Sequence, residues 1–95
     1  MVTFSPAIHD NTAAQRYELP VGNQIAFINY RRTDGVVILT HAEVPAGLKG
    51  RGIGSALVKA SLDLLRSQQQ KVIPQCPFIA IYIQRHPEYA ELLAR

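Results

Sequence analysis

The fold is decided by residues 43–58, which read Glu43-Val44-Pro45-Ala46-Gly47-Leu48-Lys49-Gly50-Arg51-Gly52-Ile53-Gly54-Ser55-Ala56-Leu57-Val58. An apolar segment, Val36 to Leu39, precedes this stretch, and a segment with helical periodicity follows it. A strand that leads through a glycine-rich turn into a helix leaves backbone N–H groups unpaired at the helix start. Those donors and the positive end of the helix dipole attract an anion, and glycine lets a phosphate approach closely. The stretch therefore predicts a phosphate cradle over residues 50–55, to which Lys49 and Arg51 add positive charge.

Two other phosphate-binding loops are excluded by the residues around these glycines. A P-loop requires Lys-Ser or Lys-Thr after its last glycine, whereas Ile53-Gly54-Ser55 stands here. A dinucleotide fingerprint would place its third glycine at Ser55, and a second nucleotide-binding half cannot fit in 95 residues. The remaining alternative is a flexible turn before a helix, which the glycines alone allow equally well.

Composition predicts one globular domain that spans residues 1–95. The 47% apolar content excludes a disordered chain, and no apolar run reaches the roughly 18 residues of a membrane span. Met1 to Asn11 lacks the apolar segment of a signal peptide, and the single cysteine cannot form an internal disulfide, so we expect a cytoplasmic protein. The net charge of +3 is spread thinly along the chain. We therefore expect no membrane and no nucleic-acid partner, and a basic nucleic-acid-binding protein is the weakest of three functional alternatives.

The order of the elements predicts an α/β (α+β) fold with a mixed, mostly antiparallel sheet and two to three packed helices. Strands are expected at Arg16–Val21, Gln24–Arg32, Val36–Val44 and Lys71–Ile73, with a possible edge strand at Val2–Phe4 and a loop from Ser5 to Gln15. Gly22-Asn23 and Asp34-Gly35 are hairpin signals. The unbroken apolar run of the third strand predicts burial on both faces, and a crossover places the last strand parallel to it.

The helix that follows the glycines is expected from about Arg51 to Gln70. Its predicted sheet-facing side comprises Ile53, Ala56, Leu57, Ala60 and Leu64. A second apolar stripe, formed by Val58, Leu62 and Leu65, requires a cover from the chain or from a partner. Residues 78–85 are ambiguous, because their composition favours a strand whereas Pro77 and the spacing of the apolar residues favour a helix.

The glycine turn and the C-terminal part of the chain together resemble the GCN5-related N-acetyltransferases. Gly52 and Gly54 match the glycines of that family's acetyl-CoA motif, Gln/Arg-x-x-Gly-x-Gly/Ala, and Lys49 stands at its Gln/Arg position. The small single-domain branch of the family shares three further segments, which are His41-x-Glu43-Val44-Pro45, Pro74-x-Cys76 and Tyr82…Arg85-His86-Pro87-Glu88-Tyr89. The resemblance covers most of residues 16–93. It implies the minimal fold of this family, a helix over residues 78–85 and a last short helix that ends near Leu93.

The resemblance implies acetyl-CoA as the cofactor. The implied cofactor-binding residues are Val44, Lys49, Gly50, Arg51, Gly52, Ile53, Gly54 and Ser55. Acetyl transfer to an amine also needs a proton acceptor for the amine and a proton donor for the departing thiolate. His41 and Glu43 are two residues apart on one strand and share a face, so either can accept the amine proton. The alternative is a polar pair at a strand end without catalytic work.

Cys76 and Tyr82 are the two further candidates for catalysis. Cys76 precedes a predicted helix start, where unpaired amides make a thiol more reactive, and the resemblance implies that it lies near the cofactor's sulfur. An exposed Cys76 is expected to be able to acquire the acetyl group itself; the alternative is a buried cysteine that packs as a small apolar group. Tyr82 matches a position where the wider superfamily often has a tyrosine proton donor, with simple packing as its alternative. The histidines have no metal-ligand spacing, so we expect no metal.

The predicted function is the transfer of an acetyl group from acetyl-CoA to an amine. The segment Ser5 to Gln15 is too short for the two helices that wall the acceptor pocket in larger members of the superfamily, so we expect an open site. An open site suits a protein lysine as acceptor, or a partner protein or second copy of the chain that completes the pocket. The main alternative is a non-catalytic acyl-CoA-binding or sensing module.

Overall fold

The computed structural model of the chain describes residues 8–48 and 50–94. Lys49 and the predicted edge strand Val2–Phe4 lie outside the described residues. The strands are β1 (His9–Asn11), β2 (Arg16–Val21), β3 (Gln24–Thr33), β4 (Val36–Glu43) and β5 (Lys71–Pro74). The helices are α1 (Ile53–Ser67) and α2 (Pro77–Arg85), and two 3₁₀ segments cover Ala46–Leu48 and Pro87–Leu92.

The described residues form one five-stranded sheet in the order β1-β2-β3-β4-β5. The first four strands are antiparallel neighbours, and β5 runs parallel to β4 after the α1 crossover, which confirms the mixed α+β architecture. The hairpin between β2 and β3 turns at Gly22, whose φ of 63° is one that glycine adopts without strain. Asp34 and Gly35, with φ of 44° and 77°, make the next turn as predicted.

Strand β1 corrects the predicted loop from Ser5 to Gln15. His9, Asp10 and Asn11 pair with Glu18, Tyr17 and Arg16 of β2, and a four-residue turn connects the two strands. Polar bonds hold this edge strand: Asn11 Nδ2 donates to Glu18 at 3.1 Å, and Arg32 Nη2 donates to Asp10 at 3.1 Å. The strand carries no apolar alternation, so its sequence gives no sign of pairing.

One face of the sheet forms the hydrophobic core. Its buried residues alternate along the strands and comprise Tyr17, Leu19, Ala26, Ile28, Tyr30, Val37, Leu39 and Val72. Residues of α1, α2 and the segment Pro87–Leu92 belong to the same cluster. The expectation that β4 is covered on both faces is therefore wrong. Val37 and Leu39 are fully buried, whereas Val36 and Ile38, which point to the other face, are only half-buried.

Helix α1 lies over β2 and β3 and also contacts α2. Its fully buried side comprises Leu57, Val58, Ser61, Leu62 and Leu65. The predicted sheet-facing side is thus corrected: Ile53, Ala56, Ala60 and Leu64 are only partly buried, and the stripe of Val58, Leu62 and Leu65 faces the core. The chain itself supplies the cover that this stripe requires. Apolar residues surround most of the helix, so periodicity alone cannot select the more deeply buried side.

The remaining segments agree with the predicted helices. Helix α2 begins at Pro77, which suits a first helical position because proline has no N–H to leave unpaired. The final short helix is a 3₁₀ segment, and after it Leu93 forms an isolated parallel bridge to Val72. Among residues 8–48 and 50–94, no helix is long and apolar enough to cross a membrane.

Candidate functional site

An open cleft of about 760 Å³ lies where β4 ends and α1 begins. Its walls come from the end of β4, the turn that follows it, the first residues of α1 and the first turn of α2. The lining residues are His41, Ala42, Glu43, Val44, Pro45, Ala46, Leu48, Gly50, Gly52, Ile53, Gly54, Ser55 and Phe78. Eight of the predicted site residues are among them: His41, Glu43, Val44, Gly50, Gly52, Ile53, Gly54 and Ser55.

A bulge in β4 orients the polar pair at the cleft. Leu39 pairs with Tyr30 and His41 pairs with Asn29, so Thr40 is an extra residue on β4. Paired residues share a face of a sheet. His41 therefore points to the face opposite Leu39 and the core, whereas regular alternation would have put both on the same face.

His41 and Glu43 share a face with each other, as predicted. Their Nε2 and Oε1 atoms are 3.1 Å apart, and both side chains are more than half exposed, at 56% and 59%. Each is accessible from solvent and lines the cleft. A histidine nitrogen and a carboxylate held in contact can take up a proton from a bound amine.

Beyond Leu39, strand β4 separates from β5. The parallel ladder ends where Leu39 pairs with Pro74, and the carbonyl of Leu39 accepts from the amides of Gln75 and Cys76 at 3.0 and 3.1 Å. Strand β4 then continues to Glu43 beside β3 alone among the described residues. The edge of β4 that faces the cleft can therefore bond to an extended ligand through its backbone.

The glycine turn leaves donors unpaired at the start of α1. Gly50 and Gly52 have φ of 80° and 75°, in the left-handed region that glycine adopts readily. Gly52 is the N-cap, no side chain caps the helix, and its first turn contains no acidic residue. The first amides of α1 and the positive end of its dipole therefore face the cleft uncompensated.

Gly54, the second motif glycine, is favoured by packing rather than by its backbone angles. A Cβ built there would lie 3.1 Å from Cζ of Phe78 and 3.6 Å from Cγ2 of Val44, so a side chain would displace the exposed ring by a few tenths of an ångström. Phe78 is 47% exposed and lines the cleft, although its sequence marks it only as part of an ambiguous segment. A glycine near a helix start indicates a neighbouring bulky group only once the fold is known.

Cys76 is buried at the start of α2. It is the N-cap of that helix, its carbonyl accepts from Ala80 N–H at 3.0 Å, and it is 8% exposed within the hydrophobic core. The expectation of an exposed thiol is wrong. The backbone N–H of Cys76 donates a hydrogen bond to the carbonyl of Leu39. This bond holds the chain beyond β5 against β4 and fixes the position of Cys76.

Tyr82 is not among the residues that line the cleft. Its ring stacks on His86 with centroids 3.9 Å apart and lies 6.1 Å from the ring of Tyr89. Burial raises the pKa of Tyr82 above its ordinary value. These contacts favour a packing role for Tyr82, which is the alternative given in the sequence analysis above.

Lys49 and Arg51 are the two charged residues of the glycine turn. Arg51 is exposed and is not among the residues that line the cleft, and Lys49 lies outside the described residues. No group of three or more His, Cys, Asp or Glu side chains in the described residues is arranged to hold a metal ion.

Comparison with known proteins identifies the family. The family model described as GCN5-related N-acetyl-transferase matches residues 16–92, which is most of the chain. The chain belongs to this family. A GCN5-like protein from Staphylococcus aureus, solved by NMR, has the same fold: the TM-score is 0.69 at 23% sequence identity, over 97% of this chain and 91% of that one.

Two curated relatives of this GCN5-related acetyltransferase domain are both named Protein NATD1. The mouse and human proteins are each 38% identical to it over 60 residues, which is 61% of this chain and 54% and 53% of theirs. The chain spans about half the length of the curated relatives it matches. Membership of the family supports acetyl transfer as the general activity.

Proposed function

We propose that this chain is an N-acetyltransferase domain that moves the acetyl group of acetyl-CoA to an amine. One observation carries the proposal: a single cleft joins the uncapped, glycine-rich start of α1 to the free end of β4 with its His41–Glu43 pair. The first part suits an anion and the second suits proton transfer. Acetyl transfer from a pyrophosphate-bearing thioester needs both within the length of one ligand.

The start of α1 fits the pyrophosphate of CoA. A Cβ built at Gly50 or Gly52 would meet no atom of residues 8–48 or 50–94 within 4 Å, so these residues leave the space in front of both glycines open. The phosphate cradle of residues 50–55 lines this space with backbone amides, which suit phosphate oxygens. Phosphate groups would bind these amides, and the apolar surface of Val44 and Ile53 would contact the remainder of the molecule.

The chemistry follows from what lies at the other end of the cleft. The amine nitrogen attacks the thioester carbonyl carbon, a C–N bond forms, and the C–S bond breaks. His41 or Glu43 takes the proton that leaves the nitrogen, directly or through a water molecule. A backbone N–H on the free edge of β4 polarises the carbonyl. The departing thiolate obtains a proton from solvent, because neither Cys76 nor Tyr82 lines the cleft.

The open geometry favours a protein lysine as acceptor. A four-residue turn connects β1 to β2, which leaves no room for a helix between these two strands. His41 and Glu43 are more than half exposed, which leaves little surface to enclose a small free amine. A lysine on a protein surface brings its own surroundings to the site. A partner protein or a second copy of the chain would close the cleft in the same way. We propose the cytoplasm as the compartment in which the protein acts.

Turnover of a lysine peptide tests this function. Glu43→Gln and His41→Ala should each leave the affinity for CoA nearly unchanged in a calorimetric titration. The more important of the two should lower turnover by about 10²–10⁴-fold, because general-base catalysis acts only in the transition state. His9→Ala is the matched control, since His9 is an exposed histidine on β1 that does not line the cleft. Equal turnover in all the variants would contradict a base at His41 or Glu43.

A non-catalytic acyl-CoA-binding module is the second candidate. The buried Cys76 and the stacked Tyr82 favour it, because two of the four predicted catalytic side chains are not among the cleft residues. Such a module would bind CoA through the same phosphate cradle. Tight binding of acetyl-CoA without transfer to any lysine peptide would support it over the enzyme.

A further inference from the structure

Three elements of the chain meet at one point in the wall of the cleft. The ring of Phe78 on α2 approaches Gly54 on α1 so closely that a Cβ there would lie 3.1 and 3.4 Å from two ring carbons. The Val44 side chain, just beyond β4, reaches the same point at 3.6 Å. Gly54 follows the anion-binding turn by two residues, and Val44 follows Glu43 directly. The ring therefore borders the phosphate cradle at Gly54, close to the point that Val44 reaches from the end of β4.

The contact accounts for a glycine where a helix would otherwise favour alanine. Gly54 is the second residue of α1, and its φ is not in the positive range. Glycine in such a position costs about 1 kcal/mol relative to alanine. A methyl group here would lie 3.1 Å from the ring of Phe78, so the ring would have to shift by a few tenths of an ångström to admit it.

The ring presents apolar surface to the cleft. Phe78 is 47% exposed although it packs on two neighbours, and it belongs to the residues that line the cleft. Opposite it, the free edge of β4 offers backbone hydrogen-bonding groups. An extended ligand segment with amide groups on one side and methylene groups on the other matches these two walls.

We propose that Phe78 is a positioning residue for the pantetheine arm of CoA, and that Gly54 fixes the ring by leaving room for it. The inference rests on the proposed function. The arm lies between the ring of Phe78 and the edge of β4. Its amides bond to the strand, and its methylene groups cover the exposed face of the ring. The nucleotide and its phosphates lie outside this contact.

Two ligands separate the arm from the nucleotide. CoA contains both parts, whereas adenosine 3′-phosphate 5′-diphosphate keeps the nucleotide and pyrophosphate and lacks the arm. Phe78→Ala should weaken CoA by about tenfold in a calorimetric titration, since half a ring of apolar contact is lost. The same variant should bind the nucleotide with unchanged affinity. Phe78→Leu, which keeps a branched apolar side chain without the flat ring, should lose less.

Ile81→Ala is the matched control. Ile81 is 46% exposed, lies one turn further along α2, and is not among the residues that line the cleft. It should bind both ligands as the unchanged protein does. Equal weakening of CoA and nucleotide by Phe78→Ala would overturn the inference, and so would equal effects of Phe78→Ala and Ile81→Ala. If the unchanged protein binds neither ligand, the proposed function fails and the inference falls with it.

A thermal double-mutant cycle tests the role of Gly54 without any ligand. Gly54→Ala should lower Tm in the unchanged protein, because the methyl group displaces the ring. In the Phe78→Ala background the same change should raise Tm, because only the helix preference for alanine remains. Additive effects of the two substitutions would overturn the role assigned to Gly54.

Discussion

The two glycines of the acetyl-CoA motif are needed for different physical reasons. Gly52 has a φ of 75° and an empty space where a side chain would begin, so its backbone conformation demands glycine and its surroundings do not. At Gly54 the surroundings favour glycine and the backbone conformation does not demand it. The residue is helical, and the ring of Phe78 lies 3.1 Å from where its Cβ would be. A substitution at Gly52 therefore acts on the backbone and on the ligand. A substitution at Gly54 acts on the packing between α1 and α2.

Replacing Gly52 with valine should abolish CoA binding while the domain stays folded. The new side chain would occupy the open space before the phosphate cradle, and a β-branched residue at positive φ adds strain of about 1–3 kcal/mol. Gly35→Val is the matched control. Gly35 has a φ of 77°, also meets nothing within 4 Å, and lies at the opposite end of β4 from the cleft.

Both variants should lose comparable stability, by roughly 4–8 °C in Tm for each kcal/mol of strain. Only Gly52→Val should lose affinity for CoA in a calorimetric titration. Equal CoA affinities of the two variants would contradict the assignment of the phosphate cradle.

Elements with a regular pattern were predictable from the sequence, and elements set by tertiary contacts were not. Strands β2 to β5 and helix α1 begin and end within a few residues of the predicted bounds, because alternation, turn glycines and helical spacing mark them. Strand β1 was missed, since hydrogen bonds from Asn11 and to Asp10 replace the apolar alternation that would reveal it. Helix α2 was assigned with the help of family resemblance, because its composition also suits a strand.

The candidate site was predictable in its residues but not in its geometry. The His41–Glu43 pair was found from its spacing, the cofactor-binding residues of the glycine turn were implied by the family resemblance, and eight predicted residues line the cleft. The bulge at Thr40, the burial of Cys76 and the contribution of Phe78 depend on how three elements meet. No local sequence pattern indicates such tertiary contacts.

Helix α1 carries one polar side chain in the middle of its buried side. Ser61 is fully buried, and its hydroxyl has no hydrogen-bond partner in the part of the chain that the structure describes. An unpaired buried hydroxyl costs about 1–3 kcal/mol, and serine is also a weaker helix former than alanine. Ser61→Ala should therefore raise Tm by several degrees, on the order of 4–8 °C for each kcal/mol gained.

The control for Ser61→Ala is Ser67→Ala at the end of the same helix. Ser67 is exposed, and its hydroxyl donates to the Leu64 carbonyl at 2.6 Å, so its removal should leave Tm unchanged or slightly lower. Thermal unfolding followed by circular dichroism measures both variants. A fall in Tm for Ser61→Ala would mean that the buried hydroxyl is bonded after all.

One hydrophobic core supports the sheet, the helices and the cleft in the described residues. The described residues from Ile8 to Leu93 contribute to one hydrophobic cluster on one face of the sheet. Aromatic residues hold this cluster together at its polar margins. Tyr17 stacks on Tyr30 at 4.5 Å, and the Tyr89 hydroxyl donates to Asp63 at 2.7 Å. All four tyrosines of the chain belong to this cluster or pack against it in the folded protein.

The tyrosines predict how the molecule responds to alkaline pH. Burial is the main cause that raises the pKa of each of the four above the ordinary value near 10. Burial and the hydrogen bond to Asp63 raise the pKa of Tyr89 to about 12. A tyrosine whose folded pKa is raised stabilises the fold fully below the unfolded pKa, and that stability is lost as the pH rises through the folded pKa.

We therefore expect the tyrosines of the folded protein to ionise at a higher pH than those of the unfolded chain. Because the chain has no tryptophan, its near-ultraviolet absorbance reports tyrosinate without interference. The rise in absorbance of the folded protein should be displaced to higher pH than that of the denatured protein, and ionisation of the buried tyrosines should accompany a change in circular dichroism. The protein in denaturant is the control and should titrate near pH 10. Coincident absorbance titrations of the folded and the denatured protein would contradict the burial of the rings.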